Sequence, residues 1–148
     1  MARNLIGKDA VPDKLQWLEV TIQKWLNINI KYTTLFGGTD TLYWYNERAN
    51  IGALAGAAWK AGLYAIEEYA ALKKPKDVTS KGSGRIDLYL TDSEGNDAVV
   101  EAKICWVAPR TTEKTLRNKM TEACKDAKRD HDAKLKIGVV FYVMRVHE

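Results

Sequence analysis

At 148 residues the chain has the length of one domain and can bury a hydrophobic core without disulfides or metals as staples. A composition of 46% hydrophobic and 28% charged residues excludes a disordered or fibrous chain, and no apolar run reaches the roughly 18 residues needed to cross a bilayer. The formal net charge of +4 and pI near 9.0 suit a polyanionic partner without requiring one.

The first ten residues, MARNLIGKDA, lack the apolar core of a secretory signal. Cys105 and Cys124 fall in an expected strand and an expected helix and read as buried thiols, so a cytoplasmic location is expected. Pro12 and Asp13 start the first helical pattern, carried by Leu15, Leu18, Ile22, Trp25 and Leu26 and expected to end near Asn27. Ile28, Ile30 and Tyr32 then alternate like a short strand, before Gly37 and Gly38 interrupt the pattern. Asp40 or Thr41 is placed to cap a long second helix, expected from Thr41 to Lys73 and closed by Pro75. Its small residues, among them Gly52, Ala55 and Ala58, let a sheet lie close. The inward stripe that contains Ala58 and Ile51 leads back to Glu47, an acid on a face that otherwise belongs to the core.

After KKPKDVTSKGSG, read as a loop or a short strand around Val78, two runs rich in Ile, Leu, Val and Tyr flank SEGN. They predict a hairpin with strands at 85–91 and 97–107. Residues 112–131 form an amphipathic pattern with Leu116, Met120, Ala123, Cys124 and Ala127 on one face. Lys114, Arg117, Lys119, Lys125, Lys128 and Arg129 lie on the other. The last run, 136–146, is nearly all apolar, as in a strand buried on both faces. No repeat or linker divides residues 1–148, which predicts a single domain.

The hairpin carries acids where a core strand should have none. Alternation turns Arg85, Asp87 and Tyr89 to one face of the first strand and Ile86, Leu88 and Leu90 to the other; in the second strand Glu101, Lys103 and Cys105 share a face. Pairing with the polar faces aligned brings Asp87 and Glu101 together with Lys103 beside them. Two carboxylates at one point suit a hard divalent cation such as Mg²⁺, which takes oxygen ligands and keeps several waters.

Asp87, then Glu101-Ala102-Lys103 fourteen positions on, preceded by a helix bearing Glu47, resembles the PD-(D/E)xK phosphodiesterase superfamily. The resemblance covers about residues 41–146 and implies an α/β fold. Its restriction-endonuclease-like core would be a central mixed β-sheet flanked by helices, here with an extra N-terminal helix. It also implies a metal-dependent endonuclease acting on DNA. Asp87, Glu101 and Glu47 would ligate Mg²⁺, with Mn²⁺ as a substitute, and Lys103 would orient the attacking water and offset charge on the phosphate. Ile86 stands where the superfamily's motif has its proline. The helix after the motif lacks the Gln and Tyr pair of the superfamily's exonuclease branches.

An Asp or Glu two residues before a Lys is alone a weak signal, since Asp126-Ala127-Lys128 and Asp132-Ala133-Lys134 match the same pattern in or beside a helix, where alternate residues do not share a face. These two are read as decoys, and strand context singles out Glu101. The competing reading of Asp87, Glu101 and Lys103 is a structural ion-pair cluster in a catalytically inactive module that binds nucleic acid or a protein. A small nuclease reaches both strands of a duplex most simply as a homodimer, for which the first helix and an exposed Trp17 are the expected interface. No membrane partner is expected.

Overall fold

The computed structural model describes residues 12–73, 82–130 and 132–144. A 3-10 stretch at Asp13–Leu18 leads into α1 (Glu19–Leu35), followed by α2 (Glu47–Lys60), β1 (Tyr64–Leu72), β2 (Ser83–Thr91), β3 (Asp97–Val107), α3 (Glu113–Ala127) and β4 (Leu135–Met144). The strands form one sheet in the order β1-β2-β3-β4, antiparallel across the first three and parallel between β3 and β4. The architecture is therefore α/β, with a four-stranded mixed sheet and three α-helices among the described residues. Among the described residues no helix is long and apolar enough to cross a membrane.

Both early helices depart from their expected limits. The alternation at Ile28, Ile30 and Tyr32 is not a strand, because α1 continues to Leu35. Leu18, Thr21, Trp25 and Asn29, spaced at three or four, give it a continuous inward face. It ends where Gly37 and Gly38 take positive φ and Gly38 N–H reaches back to the Thr33 carbonyl. The expected helix from Thr41 to Lys73 is two elements. Gly62, at φ +88°, stops α2 while Ala61 and Leu63 N–H groups close on the carbonyls of Ala57 and Ala58. YAIEEYAAL then pairs with β2, with Ala65 buried between exposed Tyr64 and Ile66. The cap of α2 is Asn46, whose side chain accepts from Ala49 N–H at 2.9 Å. Asp40 instead accepts hydrogen bonds from the Tyr32 and Tyr45 hydroxyls, tying the end of α1 to the approach to α2.

Ile51, Ala55 and Ala58 of α2 pack with Leu88, Leu90, Val100, Ala102 and Phe141 of the sheet; the 3-10 stretch adds Leu18 and α1 adds Trp25. Trp17 joins this core as a half-buried side chain, so it is not the exposed interface residue expected of it. The other face receives α3, which buries Ala123 and Ala127. Its contact is closest at Gly138 of β4, where a Cβ would stand 2.5 Å from the Cys124 nitrogen and 2.8 Å from the Ala123 carbonyl carbon. Neither backbone atom can step aside. Gly138→Ala is expected to lower stability by about 2–3 kcal/mol in urea denaturation, the cost of overpacking a close contact.

The hairpin forms at its expected place, with Gly95 at φ +82° in its turn and the Asp92 carboxylate accepting from the N–H groups of Glu94 and Asn96. β4 is not buried on both faces. It is an edge strand, with Phe141 and Val143 inside and Tyr142 and Met144 exposed. Val78 lies outside the described residues. Both cysteines are free thiols, Cys105 buried and Cys124 half-buried.

Candidate functional site

β2 and β3 pair from Thr91 and Asp97 up to Leu88 and Val100, and the ladder stops one position before Asp87 and Glu101 would face each other. On the other side of β2, the β1 ladder skips Glu68, the residue opposite Asp87, which is held at φ +46°. Ile86 correspondingly leaves the face of Leu88 and Leu90 and packs with Val99, Ala133, Tyr69 and Tyr89. The regular alternation expected through Arg85–Leu90 is broken at Asp87. β2 forks away from β3 there.

N–H groups of alternate strand residues point to the same edge, so those of Ala102 and Ile104 face the fork together and need acceptors. Two carboxylates provide them. Asp87 Oδ2 accepts from Ala102 N–H at 2.8 Å, and Glu47 Oε2, from the first turn of α2, accepts from Ile104 N–H at 3.0 Å. A carboxylate in the first turn also complements the positive end of the α2 dipole. Glu47 thus reaches β3 from the α1 and α2 layer. Glu101 and Lys103 lie on the face of β3 toward α3, since Glu101 pairs with Gly138 and Lys103 Nζ stands 3.0 Å from Asp126 Oδ2 of α3.

Two partners were not legible in the sequence. Asp126, read as part of a decoy, is the acid that Lys103 contacts. Lys73, expected at the end of a helix, follows β1 and places its ammonium on Glu101 Oε1. Both side chains of this pair are almost wholly buried, 4% and 5% exposed. The stem of Lys73 passes over Gly84, where a Cβ would stand 2.9 Å from Lys73 Cδ.

Burial pushes the Glu101 carboxyl above the usual range; Asp87 and Asp126 add to the rise, and Lys73 opposes it. Burial also raises Glu47, reinforced by Asp87 and opposed by Lys103, by the Ile104 N–H and by Lys119. For Lys103 burial alone would lower the pKa, but its bond to Asp126 and the charges of Asp126, Glu47 and Asp87 raise it. Lys103 is therefore held as an ammonium at neutral pH. Among the basic residues of α3, Lys119 carries a charge that acts on Glu47, whereas Arg117 pairs with Glu113 on the exposed side. Arg85 turns to Glu68, and Tyr89 stacks edge-on with Tyr69.

The raised pKa of Glu47 fixes the sign of a pH effect. Its contribution to stability is full below the ordinary glutamate range and is lost as pH rises through the higher folded value, because the folded chain then carries a charge it disfavours. Glu47→Gln keeps an acceptor for Ile104 N–H and removes that charge. The variant is expected to have a higher Tm than the native chain at pH 8, with the gain shrinking toward pH 4, as read by thermal denaturation across pH.

Asp87 and Glu101 each retain one carboxylate oxygen that makes no hydrogen bond among the described residues. Such a pair of hard oxygen donors, completed by waters, fits Mg²⁺ chemically. The wider expected ligand set is not assembled: among the described residues no three His, Cys, Asp or Glu side chains are grouped closely enough to hold a metal ion. A cavity of about 350 Å³, lined by Tyr69, Tyr89, Asp97, Asp130 and Asp132 among others, includes none of the four expected site residues. No protein-family model matches the chain, and no curated protein or solved structure matches it.

Proposed function

We propose that the chain is a Mg²⁺-dependent endonuclease of the PD-(D/E)xK type that hydrolyses phosphodiester bonds of DNA, with the fork between β2 and β3 as its active site. The observation that carries this reading is the use of the fork. Asp87 and Glu47 come from different elements, fold onto neighbouring N–H groups of β3, and sense each other and Lys103 electrostatically. The order α2-β1-β2-β3-α3-β4 supports it as well, being the helix, strands, helix, strand order of the resemblance.

In this reading Asp87 and Glu101 hold the metal through the oxygens that the fold leaves unbonded, and Mn²⁺ can replace Mg²⁺. The bound ion supplies Lewis acidity and charge stabilisation for in-line attack on a phosphodiester. Lys103, two residues along the strand from Glu101 and on the same face, sits about 6–7 Å further on. Kept protonated, it is no general base. It lowers the cost of the hydroxide form of an attacking water and offsets charge building on the phosphate. Asp126 aims that ammonium. Glu47, with one oxygen fixed on Ile104 N–H, keeps the other free among the described residues to orient a water. Lys119 lies near enough to add positive charge on the phosphate side. The reading includes a cytoplasmic protein, matching its free thiols, and a homodimer that presents two sites to a duplex. Exposed Val20, Ile30 and Leu35 of α1 replace Trp17 as candidate contacts.

A second reading has its own support. Lys73 on Glu101 and Lys103 on Asp126 are the structural ion pairs of an inactive module that binds nucleic acid or a protein. A panel of labelled linear, circular, branched and single-stranded DNAs, with an RNA control, separates the two when incubated with Mg²⁺, Mn²⁺ or EDTA. Metal-dependent cutting of any DNA supports the nuclease and names its substrate class. Binding of DNA with no cutting under any condition favours the module.

A further inference from the structure

Glu101 is at once the most buried of the expected metal ligands and, among the described residues, the only one whose carboxylate is already in contact with a cation. The Lys73 ammonium lies on its Oε1, both side chains are at most 5% exposed, and the lysine stem is threaded over a position that tolerates only glycine without displacing it. The backbone of Lys73 is fixed independently, by its N–H on the Gly82 carbonyl and by a bridge to Asp130. This lysine is built in rather than loosely placed. A buried carboxylate surrounded by other acids needs a positive charge, and a strand-end lysine supplies one when no ion is bound.

We infer that Lys73 is a resident counter-ion of the metal site, holding Glu101 in place in the metal-free chain and competing with the divalent cation for it. The inference rests on the nuclease reading for the identity of the site. Lys73 is a positioning residue in this scheme and touches no substrate. Metal entry requires the ammonium to share Glu101 or to swing off it, so the native chain takes up metal more weakly than its carboxylates alone would allow. The device keeps the acids folded together without metal and makes loading dependent on the free cation concentration.

The test is titration with Mn²⁺, followed by loss of the free-ion electron paramagnetic resonance signal, for the native chain and Lys73→Met at one pH. Removing the competing charge is expected to tighten Mn²⁺ binding by about tenfold or more. Equal or weaker binding by a folded Lys73→Met overturns the inference while leaving the metal site standing. Since the variant loses a buried partner and its folding is itself at risk, the native chain provides a second readout. The buried Lys73 ammonium should give a protected ¹H–¹⁵N resonance that shifts or disappears as Mg²⁺ is added, and a resonance unmoved while Mn²⁺ binds overturns the inference. Binding by Lys73→Met but not by the native chain supports the role of Lys73 and contradicts the nuclease reading. No binding by the native chain, with a variant that binds none or does not fold, overturns both.

Discussion

Glu101→Ala is expected to destabilise the chain by about 3–5 kcal/mol, enough to lower Tm by roughly 10 °C or more. The substitution removes more than a carboxylate. It leaves the Lys73 ammonium in a site where the side chain is 4% exposed, and an uncompensated buried charge is far costlier than the loss of one exposed ion pair. Replacing both partners removes that penalty. The double variant Lys73→Met/Glu101→Leu is expected to recover most of the stability lost in Glu101→Ala, because apolar groups of similar volume can fill the space of a buried pair at little cost. Urea denaturation of the native chain, both single variants and the double variant measures the coupling directly. The result bears on function as well. Loss of cleavage in Glu101→Ala is ambiguous, since part of the protein would be unfolded at assay temperature, whereas loss in a refolded double variant is not.

Lys103→Ala is expected to do the opposite, with a loss of about 10²–10³ in cleavage rate and a stability change below about 1 kcal/mol. Lys103 and Asp126 are 25% and 20% exposed, so water still reaches both groups and losing the pair costs far less than losing the almost wholly buried Lys73–Glu101 pair. The rate effect has a separate source. The Lys103 charge acts on Glu47 and is itself favoured by Glu47 and Asp87, and its raised pKa keeps it charged where an attacking water and a phosphate oxygen would both need it. Lys103→Arg should retain part of the rate, while Asp126→Asn should lower it by loosening the ammonium. A Lys103→Ala variant that cuts at the native rate would remove this lysine from the mechanism.

The hairpin, the amphipathic α3 and the position of Glu47 were legible because each rests on local pattern. Alternation and turn chemistry place Asp87, Glu101 and Lys103 on strands, and helical spacing carries Ile51 and Ala58 back to Glu47. β1 was not legible. Its alanines and glutamates favour a helix, and only pairing with β2, more than ten residues on, overrides that preference. Losing β1 also hid Lys73, whose contact with Glu101 spans 28 positions. Asp126 sits in a pattern that a helix makes meaningless as a motif, yet the helix packs that acid against Lys103. The fork has no sequence signature at all: it exists only once the strands are paired, and it converts two acids into caps for β3.

Cleavage of supercoiled circular DNA, titrated from EDTA into Mg²⁺ for the native chain and for Asp87→Asn at equal folded concentration, decides whether the fork is a nuclease site. Asparagine keeps an oxygen for Ala102 N–H, so the fork should survive while a charge of the proposed metal site is lost. Nicked and linear products that require Mg²⁺ with the native chain and are absent with Asp87→Asn are expected. Intact circles with the native chain at every metal concentration, or equal cutting by both proteins, would contradict the nuclease reading.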